Sequence, residues 1–565
     1  MFCFTLSSAK QVLQSPGGIP ALVPGRLCYS APKKKIQDSF VDHRGQKTLI
    51  FEGILANAAE IITRYAAKDL QDLIWQASAK PGILAELHGQ FWLALYNAEA
   101  ESFQAFNNIS NNCRLYYWFQ DGALVVADRM RILTGVLLQS GIVPAVDPIG
   151  ARMMLSYGYM LEGFSTISAV RSLPSAGQLS YAAGRMEVQR YHDWDARVLH
   201  TDHRACITEV NRLFSKAVNQ AFARDEEGKH LAFLSGGLDS RMTVYAAHKA
   251  GFRKFKVLTF SEPGYLDAVI AREIADELEL QYNFFSLEKG DYLQNISENL
   301  IYNDAQIILH GAAHLYKAIA PLASGDYAII HSGQIGAIMQ GNFLHGGFHS
   351  KPDISAAAYS TRILGSIIPE LKGLSARYPN QELLLLHNRG FNAATNGDLA
   401  CYEQSHSISP FLAPEFLQYT LNIDPSLRYG TRLFMGWIKS LYPRAARHRW
   451  EKTGAPASDP RWLVKSKYYL WRGSNKIKLK LSGKPNRLSM NPFDYWWQIN
   501  PALQAQMKQE FARIEELLPL LDGELARDLQ TMQNSASISE KLQAYSLARG
   551  LLYLLDPSGN RGVNT

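Results

Sequence analysis

Residues 230–241 read His-Leu-Ala-Phe-Leu-Ser-Gly-Gly-Leu-Asp-Ser-Arg, and this stretch decides how the rest of the chain is organised. The apolar run Leu231 to Leu234 predicts a buried strand that stops at Ser235, and the apolar residues after Ser240 recur with helical period over Met242 to Ala250. A glycine-rich turn therefore joins a strand to a helix. Gly236 and Gly237 permit the positive φ and the close backbone approach that a phosphate cradle needs. The helix turns its unpaired N–H groups and the positive end of its dipole into that cradle. The pattern is an anion site, and it has neither the Gly-x-x-x-x-Gly-Lys-Ser/Thr spacing of a nucleoside triphosphatase loop nor the Gly-x-Gly-x-x-Gly of a dinucleotide fold. A bare Gly-Gly pair would be an ordinary corner, but Asp239 and the serines on both sides favour the anion site.

At 565 residues the chain predicts roughly two to four domains. A hydrophobic share of 47% and a charged share of 19% describe a soluble globular protein. No apolar run is long enough to span a bilayer, and the start has no basic segment ahead of its apolar residues, so the cytoplasm is the expected location. Cys3, Cys28, Cys113, Cys206 and Cys401 are odd in number and far apart, which predicts buried thiols and fits neither a disulfide framework nor a zinc site. The net charge of +7 is modest, but nine of the basic residues fall between Arg461 and Arg487, with no acidic residue among them. Such a run suits an anionic or membrane-borne substrate, and as a solvated loop it needs no ligand at all; no nucleic-acid partner is expected.

Downstream of the loop, strands at Phe255 to Phe260 and Tyr282 to Leu287 flank a helix at Asp267 to Leu278, which predicts a doubly wound parallel sheet with ligand at the carboxyl ends of its strands. Another strand, Tyr327 to His331, leads into Ser332-Gly-Gln-Ile-Gly-Ala-Ile-Met-Gln-Gly341. Asn500-Pro501 reads as a cap and first turn, followed by helical spacing of Leu503, Met507, Phe511 and Ile514, with a last helix over Ser539 to Leu555.

The Ser235 to Ser240 segment resembles the pyrophosphate loop of the ATP pyrophosphatases, and the chain as a whole is similar to the glutamine-hydrolysing asparagine synthetase family, with its β-lactam synthetase-like and lasso-peptide cyclase-like relatives. In the first 195 residues, Gly53 to Asn57, Leu87 to Tyr96, Asn107 to Tyr117 and Arg171 to Tyr191 resemble the glutaminase domain of that family. The fold implied is an N-terminal αββα sandwich of the N-terminal nucleophile type over residues 1–195, then a parallel-sheet ATP pyrophosphatase domain over 205–460. Residues 461–565 would be a basic segment and helices packed on the synthetase domain.

The resemblance implies ATP at Leu234, Ser235, Gly236, Gly237, Leu238, Asp239, Ser240, Leu258, Phe260, Gly333 and Gln334. Magnesium would be held by Asp239 alone, because Ala337 replaces the family's second acidic ligand. Lys452, in Trp450-Glu-Lys-Thr-Gly454, matches the lysine that faces the acyl adenylate. His406, four residues before Pro410, stands where the family has a glutamate and is a candidate proton acceptor. The family's nucleophile is a cysteine directly after the initiator Met, but residue 2 is Phe2 and Cys3 comes one place late; Glu52 stands in for the oxyanion-hole asparagine. The expected activity is an ATP-dependent amide ligase without a working glutaminase, acting on a small-molecule or peptide carboxylate that is anionic or sugar-linked. The amine would be ammonia or, in a cyclase, the substrate's own. A non-catalytic scaffold retaining the fold is the rival, and a homodimer is left open.

Overall fold

In a computed structural model the described chain comprises all residues except 9, 33, 226, 295, 323–326, 345–346, 348–349, 461, 465, 471–472, 474–488 and 557–565. Most of the basic run between Arg461 and Arg487, including Lys476, Lys478 and Lys480, therefore lies outside the described residues.

Two six-stranded sheets build the N-terminal half. One runs in the order 170–172, 116–120, 123–127, 2–6, 27–29, 21–23, and the other in the order 185–190, 177–182, 102–107, 89–97, 47–55, 40–44. The period of two along a strand explains why they stack. Phe2, Phe4 and Leu6 of the Phe2–Leu6 strand face Trp92, Tyr96 and Phe103 of the opposite sheet in one apolar core. Cys3 points the other way, into the core formed with the helices Met130–Gln139 and Pro148–Tyr157. Ala58–Arg64 and Leu70–Ala79 cover the outer face of the second sheet through Ile61, Leu73 and Ile74. The expected helix–sheet–sheet–helix layering is present.

The second half is organised on five parallel strands in the order Gln281–Ser286, Phe255–Ser261, His230–Phe233, Ile329–His331, His406–Ile408. The first strand in sequence lies in the middle, with the second on one side and the fourth on the other. The loops leaving strands one and four are therefore neighbours at the point where strand order reverses, the place where open parallel sheets bind ligands. Helices His203–Phe222, Asp239–Lys249 and Leu266–Glu277 share one apolar core against this sheet.

The tail is helical as expected. Asn500 accepts from the Leu503 amide at 3.0 Å and caps the helix Pro501–Ala512, and Ile538–Leu555 is the last helix. It does not pack on the parallel-sheet domain alone: Leu542, Leu547 and Leu551 share a core with Leu133, Val136 and Met154 of the N-terminal half. Arg152 bonds Asp528 at 2.7 Å across the same junction.

Candidate active site

Asp239 opens the helix after the Ser235 loop, with Leu238 as the capping residue, so the helix starts three residues earlier than its apolar period indicates. The loop is knotted by its own side chains. Ser240 Oγ accepts from the Ser235 amide at 3.1 Å and lies 3.0 Å from Ser235 Oγ, which in turn accepts from the Gly237 amide at 3.1 Å. The Gly236 amide donates to Asp267 Oδ1 at 2.8 Å. Neither Gly236 nor Gly237 has a positive φ, which corrects the expectation from sequence. Space is what requires glycine: a Cβ on Gly236 would sit 2.9 Å from Glu451 Cβ and 3.0 Å from Asp267 Oδ1.

The loop after the fourth strand closes on the first. A Cβ on Gly333 would fall 2.6 Å from the Ser240 nitrogen, and one on Gly336 would fall 2.4 Å from Asp239 Cγ. Gln340 donates to Asp239 Oδ1 at 2.7 Å. Ile335, between the two glycines, has a φ of 65°, a left-handed conformation that a β-branched residue adopts only when its surroundings impose it, at a cost of about 1–3 kcal/mol. The Gln334 carbonyl accepts from Ser409 Oγ at 2.8 Å, which ties in the loop leaving the fifth strand.

A third segment lies over Gly236. The Glu451 amide approaches the Gly236 carbonyl at 3.3 Å, and the turn is held by the Gly454 amide on the Trp450 carbonyl at 2.7 Å. Arg241, wholly buried, fastens this segment to the loop. Its guanidinium donates to the carbonyls of Gly236 at 2.9 Å, of Ala445 and His448 at 3.1 Å each, and of Arg449. No carboxylate pairs with it at hydrogen-bond distance among these contacts, and burial lowers its pKa to about 10. Lys452 is exposed, its Nζ 5.6 Å from the Trp450 ring centroid, close enough for its charge to act on both Asp239 and Glu451.

Loss of hydration pushes the Asp239 carboxyl up to about 6, against the opposing pull of the Gln340 bond and the Lys452 charge. Folded Asp239 thus holds its proton more tightly than unfolded Asp239, so its ionisation destabilises the fold above pH ~6 and has no effect below the unfolded pKa of ~4. Asp239→Asn should therefore raise the unfolding free energy at pH 7.5 by ~1–2 kcal/mol for a group that keeps some solvent contact, and with it the thermal midpoint, with the gain gone at pH 4. Calorimetric scans at the two pH values check this, and an equal gain at both would contradict it.

Glu451 and Asp267 are functional candidates that sequence reading missed. Both pack on Gly236; burial, then the neighbouring Asp267, raise the Glu451 carboxyl to about 7, and its Oε2 is buried without a hydrogen-bond partner among the described residues. Nothing in the local sequence marks them, because the two lie 184 positions apart and meet only through the loop.

Three expected residues are placed otherwise. Leu258 is buried in the core beneath the sheet, so only its backbone, whose carbonyl accepts from the Leu234 amide at 3.0 Å, reaches the site edge. Phe260 lies between Phe233, 5.9 Å away, and His314, 4.7 Å away. His406 is not brought to the loops. It starts the fifth strand, level with Ile329 at the amino edge of the sheet, fully buried beside Gln90 and Tyr402, and burial holds its pKa well below the usual histidine value. As for the expected second metal ligand, Ala337 offers none. Asp239 has one oxygen held by Gln340, and no group of three or more His, Cys, Asp or Glu able to hold a metal occurs among the described residues. The remaining Asp239 oxygen suits a magnesium ion that brings phosphate oxygens as its other ligands.

In the N-terminal half, the Phe2 ring fills the space between the sheets, 4.8 Å from Trp92, and the Cys3 thiol is buried and raised well above its ordinary value by desolvation. Glu52 is buried and accepts from the hydroxyls of Tyr29 and, at 2.8 Å, of Tyr402 in the second half. It joins the two halves.

Residues 209–334 match the family model described as asparagine synthase. Among solved structures, the chain is similar to the allosteric regulatory enzyme of purine biosynthesis (11% identity, 43% of this chain, TM-score 0.20), of whose chain it spans 62%. It is also similar to an NMN synthetase from Francisella tularensis (16% identity, 39% of this chain and 93% of that one, TM-score 0.18). A third similarity is to a glutamine phosphoribosylpyrophosphate amidotransferase from B. subtilis complexed with ADP and GMP (12% identity, 65% and 79%, TM-score 0.21). No curated protein matches the chain. The match to the asparagine synthase family, over residues 209–334, begins within the first helix of the parallel-sheet half, covers the Ser235 loop and ends at Gln334, inside the second glycine loop.

Proposed function

We propose that this chain is an ATP-dependent ligase that activates a carboxylate as an acyl adenylate and passes the acyl group to an amine. The observation that carries the reading is the junction of two glycine loops at the reversal point of the sheet, with the Lys452 segment clamped over it by Arg241. Such a junction has amides and a helix N-terminus for a pyrophosphate. In this reading Ser235 to Ser240 and Gly333 hold the phosphates, and the backbone of the strand ends at Leu234, Leu258 and Phe260 borders the adenosine. Asp239 would hold magnesium, which when bound neutralises phosphate charge.

The substrate carboxylate forms a bond to the α-phosphorus as the bond to pyrophosphate breaks. The amine then forms a bond to the acyl carbon, loses a proton, and AMP leaves. Lys452 opposes the negative charge that develops on the acyl and phosphate oxygens. Glu451, with a carboxyl near neutral pKa, takes the role of proton acceptor that His406 is badly placed to fill. Exchange of labelled pyrophosphate into ATP, dependent on an added carboxylate, tests the first step; a carboxylate that is turned over without supporting exchange would overturn it.

Glutamine is not the amine source in this reading, since Phe2 fills the space between the sheets, Cys3 faces the outer helices and Glu52 is tied to two tyrosines. Glutamine should yield no glutamate, and Cys3→Ala should form amide at the parent rate with ammonia. Glutamate release that disappears in Cys3→Ala would contradict this.

A further inference from the structure

The second glycine loop leans on a segment far from it in sequence. After the left-handed Ile335 the loop makes a single 3₁₀ turn, Gly336–Ile338, and a strained backbone of this kind persists only where its surroundings over-determine it. Residues 428–431 supply those surroundings. The Thr431 amide donates to the Gln340 carbonyl at 3.2 Å. Gly341, with a φ of 72°, lies so close that a Cβ on it would fall 2.8 Å from the Arg428 carbonyl oxygen. The Arg428 guanidinium donates to the Ile338 carbonyl at 3.3 Å. The loop is thus gripped on both sides of Gln340, whose side chain donates to Asp239 Oδ1 at 2.7 Å.

Arg428 is itself fixed. It is wholly buried, as Glu382 is to within 3%, and each Glu382 oxygen takes one guanidinium N–H, Nη1 on Oε1 and Nη2 on Oε2, the second at 2.8 Å. A two-point fork sets the plane of the guanidinium, and with it the direction in which Nη1 reaches the Ile338 carbonyl. Glu382 stands in the first turn of the helix Gln381–Leu385, which Asn380 caps by accepting from the Leu383 amide at 2.9 Å. The loop is therefore referenced, through one ion pair, to the capped end of a helix.

Stability alone does not account for such a pair. Taking both charges out of water costs so much that apolar residues of similar volume often replace a buried pair without loss. An apolar pair could fill the space, but it could not hold the Ile338 carbonyl in one direction.

We propose that Arg428, held by Glu382, is a positioning residue for the MgATP site: it fixes the turn from Ile338 to Gly341, and through it the reach of Gln340 to the Asp239 carboxylate. The consequence for MgATP rests on the ligase reading; the grip on the loop does not.

The test uses the whole chain with the pair removed as a pair, Arg428→Met with Glu382→Leu, so that no buried charge is left alone. Hydrogen exchange read by mass spectrometry should be at least tenfold faster over residues 335–341 and unchanged in the two N-terminal sheets. Calorimetric titration should show MgATP bound at least fivefold more weakly. Gln340→Leu alone should give a similar loss, and all three substitutions together no more than Gln340→Leu alone, whereas a pair that served only the fold would give losses that multiply. Parent-like affinity or parent-like exchange in the double variant, or losses that multiply, overturns the proposal. No binding of MgATP by the parent overturns the ligase reading, and the exchange rates over 335–341 then decide the positioning claim by themselves. If the double variant does not fold, Glu382→Gln, which keeps the shape of the side chain, carries both comparisons with the same outcomes.

Discussion

Asp239→Asn is expected to lower carboxylate-dependent exchange of pyrophosphate into ATP by at least ~10²-fold, the scale for removing one preorganised charge from a catalytic site. The reason is local. Asp239 is the first residue of the helix that the Ser235 loop feeds, one oxygen is fixed by Gln340 at 2.7 Å, and Gly336 lies against its carboxyl carbon. The side chain is therefore oriented before any ligand arrives, and Asn keeps that orientation, because its oxygen can still accept from Gln340. What Asn loses is charge. With a pKa of about 6 the parent carboxyl is mainly ionised at pH 7.5, so the variant differs from the parent in electrostatics alone. It should be the more stable protein and the inactive one, a trade seen where a site is built against stability. Normal exchange in Asp239→Asn would remove the metal assignment.

Lys452→Ala should fail at a different step. It retains exchange within about threefold and loses amide product by about 10²-fold, because its charge is needed most when the acyl carbonyl is attacked. The exposed Nζ, 5.6 Å from the Trp450 ring, contributes little to the fold, while the turn that carries Lys452 is held by backbone bonds of Trp450, Glu451 and Gly454 that the substitution leaves in place. Lys452→Arg should recover part of the product rate. Parallel loss of exchange and product in Lys452→Ala would place the lysine in activation instead, and parent-like product would remove it from the site. Rapid-quench measurement of AMP and product in the same reaction separates these outcomes.

Much of the parallel-sheet half was legible because local pattern and tertiary role coincide. A buried strand, two glycines and a helix start mark the Ser235 loop wherever they occur, and the strands Phe255–Ser261 and Gln281–Ser286 lie within one residue of their expected bounds. The fifth strand, His406–Ile408, was not legible: three residues carry no period, and its place in the sheet is fixed by the neighbouring Ile329–His331 strand and by Gln90 from the other half. That is why His406, matched by its spacing from Pro410, is found at the wrong edge of the sheet. The site's second layer was equally hidden. Gln340 reaches Asp239 across 101 positions, and Glu451 meets Asp267 only because Gly236 leaves room for both. Arg241 could be read as a surface residue of an amphipathic helix, yet it is wholly buried among four carbonyls. The tail helices read correctly as helices, but nothing in their apolar spacing indicated that the N-terminal half would be one of their partners.

The central claim is that the two glycine loops hold the phosphates of ATP. Calorimetric titration of MgATP into the parent and into Gly336→Val tests it most directly, since the added side chain enters the space of the Asp239 carboxyl, where even a Cβ would be 2.4 Å from Cγ. The account predicts one site per chain in the parent and affinity at least tenfold weaker in Gly336→Val, with circular dichroism unchanged. Equal affinity in the two proteins, or no binding of MgATP by the parent, would contradict it.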